Sequence, residues 1–70
     1  MADSLRRVAV ASVAKAREAH RFAATDLKRV EQLSQDKVIS PQELEAVQAR
    51  ESAAVRELAV SESTLKQAEA

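Results

Sequence analysis

The chain has 70 residues, eleven basic and eleven acidic side chains, and a formal net charge of zero at neutral pH. Phosphate backbones bind clustered Lys and Arg in excess, so this balance argues against nucleic acid as a partner. The chain has no cysteine, no glycine and a single histidine, which excludes disulfide scaffolds, thiol nucleophiles, cysteine-based zinc sites and glycine-rich phosphate loops. We expect a protein that is not an enzyme and that holds no metal or cofactor.

The first half of the chain predicts one long helix, from about residue 4 to residue 35. Small and apolar residues recur there at steps of three and four, which is typical of a helix with one packed seam. These residues are Leu5, Ala9, Ser12, Ala16, Ala19, Ala23, Leu27, Val30 and Leu33. The histidine, His20, is expected to be solvated or to flank this seam.

A corner follows at residues 36–40 and contains three agreeing signals for the start of a second helix. Ser40 and Glu43 have the spacing of a capping box, in which the serine hydroxyl accepts from the Glu43 N–H and the Glu43 carboxylate reaches back. Pro41 falls at the first helical position, where its missing N–H costs nothing. Ile39 and Leu44 have the spacing of a hydrophobic staple. A helix is therefore predicted to begin at Pro41.

The second helix is predicted over residues 41–69, with an unbroken alternation of three- and four-residue steps. Its seam residues are Leu44, Val47, Glu51, Ala54, Leu58, Ser61, Leu65 and Ala68. A short connection makes the two helices antiparallel neighbours, so the predicted fold is all-α, an antiparallel two-helix coiled-coil hairpin forming a single domain. Asp26 would face Glu51 in one layer. We expect the seam to rotate there and let Leu27 in, while Arg50 or Lys28 neutralises the acids.

The seam is mostly Ala, Ser and Val, which bury little apolar area for the chain entropy lost on folding. We therefore expect an isolated hairpin to be marginally stable and to gain from lateral neighbours. Alanines on the outer faces would let other helices approach closely, although the high helix propensity of alanine explains them equally well.

The corner carries a spacing of Arg29, three residues, Leu33, six residues, Ser40, and then a helix that opens with PQELE. This resembles the hairpin tip of periplasmic adaptor proteins, the membrane fusion proteins of the HlyD/AcrA/MacA class. The stretch LSQDKVISPQELE is most similar to the MacA type, which works with an ABC transporter. Many members place glycine in this turn. This chain has none, so Asp36 or Lys37 must adopt any left-handed conformation that the turn requires.

The resemblance implies a function at the tip. Arg29, Leu33 and Ser40 would engage a TolC-type outer-membrane channel, while Ile39, Pro41, Glu43 and Leu44 would shape the corner. The chain would be a piece of a larger adaptor of a tripartite efflux or type I secretion pump. That adaptor would be periplasmic, anchored at the inner membrane, hexameric, and joined to an inner-membrane transporter of the ABC type through its other domains.

Two alternatives remain open from the sequence. The chain could be a cytosolic helical-hairpin module for protein interaction that is unrelated to transport. It could also associate with itself into an ordinary four-helix bundle. Neither alternative assigns a role to Arg29, because neither helix capping nor seam packing asks for arginine at that position.

Overall fold

The computed structural model describes residues 2–70 as two helices, α1 at Ala2–Gln35 and α2 at Pro41–Glu69. They run side by side in opposite directions and form a rod with extents of 53 × 13 × 11 Å. The all-α antiparallel hairpin expected from the sequence is confirmed. Over residues 2–70, neither helix has a stretch long and apolar enough to cross a lipid bilayer.

The α2 helix faces α1 with the residues that its spacing predicts. Val47 and Ser61 are buried. The other predicted seam residues are partly buried: Leu44, Glu51, Ala54, Leu58, Leu65 and Ala68. This seam is favoured because all three leucines of α2 lie on it, whereas Val55 and Val60 remain exposed on other sides of the helix.

The seam of α1 differs from the prediction at three positions. Leu5 is 67% exposed, and Ser12 and Ala19 also face solvent, so placing them in the seam was wrong. The helix instead packs through a stripe with regular steps of four and three: Ala9, Val13, Ala16, His20, Ala23, Leu27 and Val30. Val13 is the decisive difference, because it is only 3% exposed and brings a branched side chain where Ser12 would have brought a hydroxyl.

Polar side chains interrupt the seam at two levels. His20 Nε2 lies 3.4 Å from Glu51 Oε1 on the facing helix, and both side chains are largely shielded from solvent. Asp26, which we expected to be neutralised by Arg50 or Lys28, instead forms an ion pair with Arg29 one turn further along α1. The two acids therefore have different partners, Arg29 for Asp26 and His20 for Glu51.

The core is thin along its whole length. Its buried apolar residues are Ala9, Val13, Ala16, Val30 and Val47, and no side chain in the part of the chain that is described falls below 2% exposure. Each buried alanine removes little apolar area from water, and the free energy of burial scales with that area. The hairpin is thus held by many small contacts along a 53 Å rod.

Candidate docking site at the hairpin tip

The tip begins where α1 is terminated by a Schellman motif. The Val38 N–H donates to the Leu33 carbonyl oxygen at 2.9 Å, and the Lys37 N–H donates to the Ser34 carbonyl oxygen at 3.0 Å. This pair of hydrogen bonds satisfies carbonyl groups that the end of a helix otherwise leaves without partners. The backbone of the turn is therefore hydrogen-bonded to the last turn of α1 where the chain reverses direction.

Lys37 is the residue that adopts the left-handed conformation, with φ of 59°. A Schellman motif requires this conformation at the residue just past the helix, where glycine is usual because it has no Cβ to clash. Of the two candidates that the sequence offered, Asp36 and Lys37, the structure selects Lys37. The corner is therefore built at a local cost in backbone strain.

The tip ends at a capped helix start. Ser40 has an extended backbone (φ −79°, ψ 155°), and its hydroxyl accepts a hydrogen bond of 3.2 Å from the Glu43 N–H, with Pro41 in the first turn. The second hydrogen bond of the predicted capping box is absent: within residues 2–70 the Ser40 N–H does not donate to the Glu43 carboxylate. Ile39 and Leu44, the two staple residues, are both partly buried.

Arg29 lies on α1 six residues before the helix ends, which places it roughly 9 Å below the corner at 1.5 Å per residue. Its Nη2 group donates to Asp26 Oδ1, and its side chain is 68% exposed. Leu33 is one helical turn closer to the corner, on the same side of α1, and is partly buried. The sequence offered no local reason for arginine at this position, and the structure supplies one in Asp26.

A shallow groove runs between the helices just below the corner. Arg29 and Asp26 line its α1 side together with Val30, and Glu43 and Arg50 line its α2 side together with Ala46 and Val47. Two guanidinium groups and two carboxylates thus surround an apolar floor. Groups of this kind recognise carbonyl oxygens, carboxylates and guanidinium groups of a protein partner.

The structure gathers only part of the predicted site. Arg29 and Glu43 line one groove, whereas Leu33, Ser40, Ile39 and Leu44 belong to the corner above it. Asp26 and Arg50 were not predicted as site residues. The signal that could have found Asp26 is its three-residue spacing from Arg29, since side chains three apart on a helix are neighbours.

Comparisons with family models, with curated proteins and with solved structures find no match to this chain. Among the residues that the structure describes, no group of His, Asp and Glu side chains is arranged to hold a metal ion. The tip therefore has to be interpreted from its own side chains and from the spacing that they follow.

Proposed function

We propose that this hairpin is the channel-docking element of a periplasmic adaptor and that its tip binds a TolC-type outer-membrane channel. The proposal is carried by one observation: the spacing of Arg29, Leu33 and Ser40 coincides with a corner whose backbone is hydrogen-bonded at both helix ends. A tip that is ordered before binding loses less conformational entropy when it docks.

Arg29 is the polar anchor in this proposal. Among residues 2–70 its Nη2 group is the only part of the guanidinium with a hydrogen bond, to Asp26. The remaining N–H donors lie in one plane and suit carbonyl oxygens or a carboxylate of the channel. The ion pair with Asp26 draws the guanidinium toward that side of α1 and leaves its other donors open to a partner.

Leu33 and Ser40 have different roles at the corner. Leu33 is only partly buried, so it retains apolar surface that a partner can cover. The hydroxyl of Ser40 is already engaged with the Glu43 N–H, so Ser40 acts by holding the start of α2 and by presenting its backbone. Arg29 supplies directional hydrogen bonds, Leu33 apolar contact, and Ser40 the shape of the tip.

A single tip of this size should bind weakly, and several copies acting together would supply the affinity. In the proposed assembly, six adaptors in the periplasm carry their hairpins on domains outside this chain. Those domains, anchored at the inner membrane, contact an ABC transporter. The hairpin is then the bridge between the transporter and the outer-membrane channel of an efflux or type I secretion pump.

Site-directed crosslinking tests this docking directly, because the chain has no cysteine of its own. Val38→Cys, at an exposed position of the corner and labelled through its thiol with a photoactivatable crosslinker, should crosslink to a co-expressed TolC-type channel when the hairpin is present in its full-length protein. Val55→Cys, exposed in the middle of α2, is the matched control and should give no crosslink. Equal crosslinking at both positions, or none at Val38→Cys, would refute tip docking.

A helical-hairpin module for protein interaction is the second candidate function. It is favoured by apolar side chains that remain exposed along one side of the rod, far from the tip. Sequencing the complete parent gene separates the two candidates, since an adaptor requires a signal or anchor segment and β-rich segments on both sides of the hairpin. A parent protein without them would leave the interaction module as the better explanation.

A further inference from the structure

One side of the rod carries a second stripe that the hairpin itself does not use. On α1 it follows steps of three and four through Leu5, Val8, Ser12, Lys15, Ala19 and Phe22. On α2 it includes Glu57, Val60 and Thr64, which line a common groove with Ser12, Lys15 and Ala19. Nearer the tip, this stripe ends at Phe22, which borders the groove of Asp26, Arg29 and Arg50 in the candidate docking site. We call this surface the lateral face.

The lateral face holds most of the large apolar surface that the hairpin leaves in water. Leu5 and Val8 are 67% and 66% exposed, and Phe22 and Val60 are 62% and 61% exposed. Arg21 lies over the Phe22 ring at 4.9 Å from its centroid, yet the phenylalanine remains mostly exposed. A stripe with the spacing of a coiled-coil seam and with exposed Leu, Val and Phe is typical of a helix that packs against another helix.

We propose that the lateral face binds a second copy of this chain. The two hairpins are related by a twofold axis along the rod, so α1 of each copy packs on α2 of the other and both tips lie at the same end. The product is a four-helix bundle whose two copies bury the same surface, as a twofold interface requires. The contact ends at Phe22 and leaves Arg29 uncovered, so this inference does not depend on what the tip binds.

The charges of the lateral face favour this arrangement. Lys15 on α1 and Glu57 on α2 line the same groove. Lys15 is 20 residues before the end of α1 and Glu57 is 16 residues after the start of α2, so they are about 6 Å apart along the rod. A twofold axis along the rod exchanges the helices and brings each Lys15 within reach of Glu57 of the second copy.

The sizes of the side chains are complementary as well. Val60 of each copy comes opposite the groove wall formed by Ser12 and Ala19, which are small enough to receive it. An arrangement with opposed tips would pack α1 on α1 instead, and Lys15 would lose Glu57 as its opposite charge. Complementary charge and shape across an interface select the partner and its orientation.

The area of the face is that of a weak contact. From Leu5 to Phe22 the face is about 26 Å long at 1.5 Å per residue and 13 Å wide. Two copies therefore cover roughly 660 Å² in total, less than the roughly 1,200–2,000 Å² of stable specific interfaces, so association should need a high chain concentration. The formal net charge of the chain is zero, so overall repulsion does not oppose association.

Sedimentation equilibrium of the 70-residue chain is the first test. A chain of 7.6 kDa should show an average mass that approaches twice this value as its concentration rises from about 10 µM to about 1 mM, and its helicity should rise in parallel. Val60→Ser should weaken association about tenfold, because it removes apolar contact at the centre of the face. Val55→Ser, on the same helix but outside the lateral face, is the matched control and should leave the mass unchanged.

Charge reversal then tests the twofold arrangement. Lys15→Glu alone and Glu57→Lys alone each place two like-charged pairs in the dimer, and each should weaken association about tenfold. A mixture of the two variants restores both opposite-charge pairs between copies, while each copy keeps its own like-charged groove. The mixture should therefore dimerise almost as well as the original chain, and any helicity lost in the separate variants should return on mixing.

The outcomes that would overturn the proposal are specific. A monomer at 1 mM would overturn it, as would a mass of three copies or more, since a twofold contact closes at two. Single charge variants that dimerise as well as the original chain, or a mixture that recovers neither mass nor helicity, would do the same. None of these outcomes bears on crosslinking of Val38→Cys to a channel, so the two proposals fail separately.

Discussion

Replacing Lys37 with glycine should stabilise the hairpin, because Lys37 is the only non-glycine residue with positive φ among those described, at 59°. A residue with a Cβ in the left-handed region loses about 1–2 kcal/mol relative to glycine. Glycine at this position loses in turn about 0.5–1 kcal/mol of additional chain entropy on folding. The expected net gain is therefore about 0.5–1 kcal/mol in the free energy of unfolding.

The assay is urea unfolding followed by circular dichroism at one fixed chain concentration, so that self-association does not change between variants. A gain of this size corresponds to an increase of about 2–8 °C in the melting temperature of a domain this small. Both measurements should agree if unfolding is two-state.

Asp36→Gly is the matched control, since Asp36 precedes the left-handed residue and its N–H still bonds back to the Gln32 carbonyl oxygen at 3.3 Å. Glycine there relieves no strain and adds chain entropy to the unfolded state, so it should destabilise the hairpin by about 0.5–1 kcal/mol. A Schellman motif at this corner therefore predicts that Lys37→Gly raises the free energy of unfolding and Asp36→Gly lowers it. If Lys37→Gly destabilises the hairpin as Asp36→Gly does, the assignment of strain to Lys37 is wrong.

Three further predictions concern the cap, the seam and the tip. Ser40→Ala should lower the free energy of unfolding in urea by about 1 kcal/mol through loss of the helix cap. Glu43→Ala, which removes the acceptor of a capping box, should lower it much less, because the Glu43 side chain does not bond the cap. Equal losses would show that the capping box closes in solution. Val13→Ser should lower the free energy of unfolding by about 1–3 kcal/mol because Val13 is 3% exposed. Val10→Ser, at a position 48% exposed, should change it by no more than about 0.5 kcal/mol. A larger loss at Val10 than at Val13 would indicate that Ser12, not Val13, faces α2. Arg29→Asp should abolish export by the full-length pump without changing helicity. Arg21→Asp is the control, because it also loses an ion pair with an acid three residues earlier, and it should export normally. Normal export by Arg29→Asp would refute the proposed function of the tip.

The start of α2 and its seam could be predicted from the sequence because both depend on residues close together in the chain. Ser40 and Pro41 determine the helix start through a local hydrogen bond and a restricted φ, and neither needs α1 to be present. The α2 seam follows from one stripe of larger side chains. The sequence also limited the left-handed residue of the turn to Asp36 or Lys37, because the chain has no glycine to take that conformation.

The tertiary structure decided which stripe of α1 faces α2. Small residues lie on several sides of α1, so Leu5, Ser12 and Ala19 match the helical spacing as well as Ala9, Val13 and Ala16 do. Spacing alone cannot separate two stripes whose side chains are nearly equal in apolar area. Contact with α2 separates them, because only one stripe can bury against it, and the excluded stripe becomes the lateral face.

The tertiary structure also decided the partner of Glu51. From the sequence, Arg50 or Lys28 was expected to neutralise Asp26 and Glu51, whereas the folded chain pairs Asp26 with Arg29 and Glu51 with His20. The Asp26–Arg29 pair follows from a three-residue spacing on one helix, but the His20–Glu51 pair forms only when α1 packs against α2. By itself, the sequence determined that this chain is a hairpin with a capped corner; the packing of the two helices determined which of its faces and charges remain available to a partner.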